Sequence, residues 1–257
     1  VNVGRPDVAR NTRSRFRPST VDYQNAIMTT AVVIPIKQLE NAKQRLGSWL
    51  SASQRAEFFQ AMVEDVLEAV TTCDRIDEVL IVSNDARVAE IARSYAVRLI
   101  AEPAEPGLIN AVTCAGQMLR TEGVTTMMFL PGDVPLVTVE ELEVVLDGFG
   151  QQEHAEFGIV PASDLGGSNC VVCSPPDCMA FGFGEDSFRR HLSIARTRGI
   201  EPLVAKLPGI GLDIDTAADV VVLAAELLQQ NLKTHTQRFI ESSGILENLP
   251  PELVNIG

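Results

Sequence analysis

The sequence predicts an α/β protein built on a mostly parallel sheet with helices on both faces. Three observations carry this. Short β-branched runs without polar alternation, Ala31-Val32-Val33-Ile34 and Val79-Leu80-Ile81-Val82, read as strands buried on both sides. Stretches of helical period separate such runs, as repeated β and α units require. A chain of 257 residues with 46% hydrophobic content can also bury one sizeable core.

The elements follow in order. Residues 1–27 are polar and rich in Arg, with Pro6 and Pro18 and no periodicity, so a flexible extension is expected, with Met28 as an alternative start. The first strand runs from Ala31 to Ile36. Ser51 or Ser53 caps a helix to about Thr72 that gathers Phe58, Met62, Val66 and Leu67 on one face. Val79 to Asn84 is a strand, Asp85 to Tyr95 a helix, Val97 to Ala101 a strand and Asn110 to Glu122 a helix. Thr126 to Pro131 is the next strand, and Thr138 caps a helix to about Phe149. Phe157 to Pro161 and Cys170 to Cys173 are two further strands around a polar loop. Ser187 to Gly199 is helical, Leu203 to Leu207 a strand, and Thr216 caps a helix to about Gln230. The folded domain is therefore placed at 28–230, and the tail at 231–257 is expected to form a short helix and a loop.

Composition narrows the chemistry. Twenty-one Lys and Arg against 34 Asp and Glu leave a net charge of −13, and five of the arginines fall within residues 1–27. So acidic a body argues against binding nucleic acid polymers. It remains compatible with one nucleotide if metal ions offset the phosphates. No apolar stretch approaches the roughly 18 residues of a membrane span. Cys170 and Cys173 enclose Val171 and Val172, the pattern of a buried strand and not of a zinc site. Five scattered cysteines fit reduced thiols in a cytoplasm.

In an open parallel sheet, ligands bind beyond the carboxyl ends of the strands. Three loops there carry unusual charge. Lys37, Lys43 and Arg45 follow the first strand; they can hold triphosphate oxygens, or form a solvated basic turn. Asp133 directly follows the Thr126 to Pro131 strand between two prolines, as a Mg²⁺ ligand or a turn cap. Asp213 and Asp215 stand two apart in an extended segment, so they share a face and repel unless a cation lies between them. A metal pair is the reading preferred. Asp164 to Asn169 offers glycine amides and the Ser168 hydroxyl, and Ser187 opens a helix; both suit an anion. His191 is read as structural or gating, while His154 and His235 lie in polar segments without an evident partner.

In this order, IPIK with AKQRL, GLINAV, LPGDVPLV, DLGGSN, FGEDSFRRH and LPGIGLDIDT resemble the 2-phospho-L-lactate guanylyltransferase family. The resemblance covers Thr30 to Leu228. It implies the nucleotide-diphospho-sugar-transferase-like fold of the molybdenum-cofactor type. It also implies transfer of GMP from GTP to a phosphorylated three-carbon acid in deazaflavin coenzyme F-420 biosynthesis. The acid is 2-phospho-L-lactate, phosphoenolpyruvate or 3-phospho-D-glycerate. By the same resemblance, Asp133, Asp213 and Asp215 hold Mg²⁺, and Ser168, Gly184 and Ser187 bind the acid. Lys37, Lys43 and Arg45 meet the nucleotide phosphates, Lys43 acting in catalysis, with Gly107 and Asn110 near the base. Ser168 stands where the family often has Thr, which keeps the hydroxyl. A homodimer and a hand-off to the next transferase of the pathway are further family expectations.

Rival readings are a nucleotidyltransferase making another activated compound, a nucleotide-sensing module without turnover, and a dehydrogenase. No L-x-G-G loop follows Ile36, which counts against the first. Retention of all three aspartates counts against the second. No G-x-G-x-x-G opens the first helix, which counts against the third.

Overall fold

A computed structural model describes residues 28–152, 154–230 and 233–250 of the chain. The extension expected over 1–27 and the last seven residues of the tail lie outside the described residues.

Seven strands form one sheet: β1 (Thr30–Pro35), β2 (Glu78–Val82), β3 (Arg98–Ile100), β4 (Thr126–Phe129), β5 (Glu156–Pro161), β6 (Ser168–Ser174) and β7 (Leu203–Val204). Their order is β3-β2-β1-β4-β6-β5-β7. The first four run parallel, whereas β6 is antiparallel to both β4 and β5. The reason is local. Only six residues, 162–167, separate β5 from β6, too few for a parallel crossover but enough for a hairpin.

The principal helices are α1 (Ala52–Thr72), α2 (Ala86–Ser94), α3 (Leu108–Glu122), α4 (Val139–Leu146), α5 (Ser187–Thr197), α6 (Pro208–Gly211), α7 (Ala217–Gln230) and α8 (His235–Ser243). Strand β1 shows why both faces need cover. Val32 and Ile34 join the core beneath α1, α2 and α4, while Ala31 and Val33 join the one beneath α3 and α5. A third core, around Phe58, Leu223 and Ile240, ties α1 to α7 and α8.

Several expected bounds move. Ser51, not Ser53, caps α1: its hydroxyl accepts from the Gln54 amide while the Gln54 side chain accepts from the Ser51 N–H. The strand expected over Leu203 to Leu207 is only two residues long, because Pro208 opens α6 shortly after it. The strand expected over Val97 to Ala101 narrows to Arg98–Ile100, and α4 stops at Leu146 ahead of Gly148 and Gly150 in left-handed backbone. Helix α3 starts two residues earlier than its periodicity predicts, at Leu108.

The tail is anchored. Asp65, buried on α1, accepts the backbone N–H groups of His235 and Thr236 at 2.6 and 2.9 Å, which satisfies the start of α8. Phe239 stacks on Phe58 with ring centroids 5.5 Å apart.

Strand order changes direction between β1 and β4. The chain leaves β1 toward β2 on one side and returns after β3 to β4 on the other. Their carboxyl-end loops therefore part and leave a crevice, the expected ligand position in such sheets.

Candidate active site

That crevice holds a cavity of about 520 Å³, within the usual range for small-molecule sites. Lys43 arrives from the loop after β1. Its backbone is left-handed, φ 51° and ψ 45°, a conformation uncommon for a side-chain-bearing residue. This strained turn sends its side chain inward, where it is only 5% exposed. The Lys43 ammonium donates to Asp133 and, at 2.9 Å, to Asp215, and lies over the Phe59 ring. Burial alone pushes the ammonium toward neutrality, but the two carboxylates outweigh this and hold its pKa above the ordinary value.

Asp133 follows β4 by way of Gly132. A Cβ at Gly132 would stand 2.8 Å from Val63 on α1, so the close approach of this loop to the helix needs glycine. The backbone N–H of Ile214 donates to the Asp133 carbonyl at 3.0 Å. Ile214 is fully buried, and Asp213 and Asp215 flank it. Asp215 faces the cavity, with Arg45 a further 3.3 Å partner. Asp213 accepts from the Asn169 amide at 3.0 Å. Burial, opposed by that hydrogen bond and abetted by the Asp133 charge, raises the Asp213 pKa.

Asp133 and Asp215 thus meet at the cavity, while Asp213, close to Asp215 in the chain and held by Asn169, does not line it. The cation between Asp133 and Asp215 is Lys43, an occupant that spacing alone did not predict. An oxygen-only donor set suits Mg²⁺, which takes one or two carboxylates together with water and phosphate oxygens. Among the described residues, the acidic group whose ligand atoms already converge within 4.8 Å is another one, Asp65, Glu68 and His235. There the Asp65 oxygens are engaged by the start of α8. His235, expected to be without partners, lies 2.9 Å from Glu64 and 3.5 Å from Glu68. His154 is exposed.

Lys37 and Gly107 line the cavity, and Arg45 stands at its edge with its side chain 73% exposed. Asn110 does not join them. Its amide turns to the Glu105 carbonyl at 3.1 Å, and Leu108 and Ala111 of α3 face the cavity in its place. Helical spacing accounts for this, since Asn110 points to another side of α3 than Ala111.

Beside the aspartates lies a second polar group. Ser168 opens β6 next to Asn169, and its Oγ is 3.1 Å from the Ser187 Oγ and 3.0 Å from the His191 Nδ1. Gly184, at φ 111°, accepts the Ser187 N–H through its carbonyl. The glycine loop before Ser168 is held by Asp164, which accepts the Gly166 N–H at 2.7 Å.

Phe59 and Glu102 line the cavity without a role in the sequence reading, and Asn169, from the loop expected to meet an anion, serves Asp213 instead. Glu102 follows β3 almost directly and could have been found by the carboxyl-end rule. Its N–H donates to the Asn84 side chain at 3.1 Å, which joins the β2 and β3 ends.

Residues 30–248 match the family model described as guanylyl transferase CofC like. The chain belongs to this family. The phosphoenolpyruvate guanylyltransferase of Conexibacter woesei is 33% identical over 196 residues, 76% of this chain and 87% of the relative. The 2-phospho-L-lactate guanylyltransferase of Methanothermobacter thermautotrophicus is 30% identical over 213 residues, 83% and 90% of the two chains. The 3-phospho-D-glycerate guanylyltransferase of Colwellia psychrerythraea is 30% identical over 197 residues, 77% and 92% of the two chains. In fold, this CofC-like chain is similar to a nucleotide-diphospho-sugar transferase from Desulfovibrio desulfuricans G20. The TM-score is 0.70 at 18% identity, over 86% of this chain and 98% of that one. A cytidylyltransferase from Leptospira borgpetersenii gives 0.55 at 14% identity, over 87% and 99%. Among the described residues, no helix is long and apolar enough to cross a membrane.

Proposed function

We propose that this protein transfers GMP from GTP to the phosphate of a small three-carbon phospho-acid, releasing pyrophosphate. The observation that supports it most is the meeting of Lys43, Asp133 and Asp215 from three separate loops at one cavity.

The acid's phosphate oxygen attacks the α-phosphorus of GTP in line; a new P–O bond forms there and the bond to the bridging oxygen of pyrophosphate breaks. The attacking phosphate is already ionised, so the step needs no general base. Its barrier is the approach of two anions, and alignment and positive charge lower it. Asp133, Asp213 and Asp215 would hold Mg²⁺, which supplies charge neutralisation at the phosphates. Lys43 stays protonated because of its two carboxylate neighbours, and Lys37 and Arg45 add positive charge around the triphosphate.

Guanine, with donors at N1 and N2, suits the cavity beside Gly107, where Glu102 supplies a carboxylate to accept both. Adenine presents an acceptor at N1, which that carboxylate repels. Ser168, Gly184 and Ser187 bind the acid next to the aspartate rim. Relatives named for each of the three acids resemble the chain to a similar degree, so none is preferred. The activated diester formed here is a substrate for a following transferase, consistent with a place in deazaflavin coenzyme F-420 synthesis and, with five free thiols, in a reducing cytoplasm.

A panel of GTP, ATP and CTP against phosphoenolpyruvate, 2-phospho-L-lactate and 3-phospho-D-glycerate, read by pyrophosphate release, tests this. GTP with one acid is expected to turn over. No pyrophosphate from any pair overturns the reading.

A further inference from the structure

We propose that His191 is a positioning residue for the phospho-acid: its imidazole donates to Ser168 and leaves the Ser168 hydroxyl hydrogen free for an anionic oxygen. This rests on the acid-binding part of the reading above.

The proton positions follow from the partners. The backbone N–H of Gly182 donates to the His191 Nε2 at 2.9 Å. A backbone amide can only donate, so Nε2 carries no hydrogen and Nδ1 does. The Nδ1–H therefore donates to the Ser168 Oγ, 3.0 Å away. The Ser187 hydroxyl donates to the same oxygen at 3.1 Å. A serine oxygen has two lone pairs and one hydrogen. In this arrangement both lone pairs of the Ser168 oxygen are engaged, and its hydrogen is left to an anion at the start of α5.

The ring cannot turn away from this duty. It is fully buried, with Phe183 edge-on at a centroid distance of 4.9 Å and Phe157 and Phe181 at 6.2 and 6.3 Å. Burial first, and Arg190 second, hold its pKa down at about 4, so it stays neutral at working pH. His191 therefore contributes direction and not charge, through Ser168.

Two substitutions separate the ring's bonds. In His191→Asn the amide nitrogen can take the Nδ1 position, which keeps the donor to Ser168. In His191→Gln the side-chain oxygen can take the Nε2 position, which keeps the acceptor for Gly182 and loses that donor. Calorimetric titration with each of the three acids, and with GTP, reads the outcome. The Kd for the bound acid is expected to stay within about threefold in His191→Asn and to rise about tenfold in His191→Gln, with GTP affinity unchanged. On a Ser168→Ala background, His191→Gln is expected to add nothing. Equal losses in the two variants, an equal loss for GTP, or a full effect without Ser168 overturns the proposal. Nitrogen NMR of the unmodified protein needs no variant: a hydrogen on Nε2 of His191 also overturns it. Acid binding without pyrophosphate release removes the transferase reading and leaves the positioning role intact, whereas failure to bind any of the acids removes both.

Discussion

The Ile214 amide donates to the Asp133 carbonyl across 3.0 Å, and this backbone bond joins the loop after β4 to the Asp213–Asp215 segment. Eighty-odd residues of intervening chain thereby cease to matter to the distance between the acidic groups. The carboxylates crowd one rim because the backbone holds them there, and Lys43 offsets their repulsion. A site so arranged binds charge at a cost borne by the fold, as active sites commonly do.

Replacing that cation tests its part. Lys43→Met is expected to lower kcat/KM for GTP about 100-fold. The loss of stability should be small, about 1–2 kcal/mol, because Asp133 and Asp215 keep 22% and 42% of their side-chain surface in water. Steady-state kinetics and chemical denaturation check the two halves.

On the proposed reading, Glu102 selects the base. In Glu102→Gln the carboxylate that accepts two guanine donors becomes an amide with one acceptor. The ratio of GTP to ATP turnover is expected to fall about tenfold or more. Competition between the two nucleotides measures the ratio.

Acid should unfold the protein in a window set partly by His191. Its folded pKa lies at about 4 against 6.5 for the free side chain, so the unfolded chain binds the proton more readily. Stability linked to this group is complete above pH 6.5 and is lost as pH falls toward 4. The shift corresponds to about 3 kcal/mol. Asp65 and Asp213, whose pKa values are raised by burial, act in the opposite sense, so the comparison must be with a variant. Urea titrations at pH 7 and pH 4 are expected to show a smaller acid loss in His191→Gln than in the unmodified protein.

The α1–α8 junction gives a control far from the chemistry. Asp65→Ala strips the buried N–H groups of His235 and Thr236 of their acceptor, which costs about 1–3 kcal/mol. For a chain of this size the melting midpoint should fall by about 2–10 °C, with kcat at 25 °C unchanged.

Much of this arrangement was legible in the sequence, for a physical reason. β-Branched runs such as Val32-Val33-Ile34 mark strand ends sharply, and the charged residues directly after them, Lys37, Asp133 and the Asp213–Asp215 pair, fall where sheet topology gathers loops. What stayed hidden depends on pairing across long separations. Nothing local to Lys43 announces that it will sit between Asp133 and Asp215, 90 and 172 residues away. Asp65 reads as an ordinary polar position of α1 until α8 docks on it. His235 lacks a visible partner for the same reason, since Glu64 and Glu68 lie on that distant helix. The antiparallel β5–β6 pair was within reach, because the short polar loop of residues 162–167 cannot carry a crossover.

The central claim is that carboxylates at this rim serve metal-assisted transfer. Pyrophosphate release from GTP by Asp133→Ala, with saturating acid and Mg²⁺, tests it most directly. Turnover is expected to fall at least about 100-fold while the melting midpoint stays within about 5 °C of the unmodified protein. Undiminished turnover in a folded Asp133→Ala protein would contradict it.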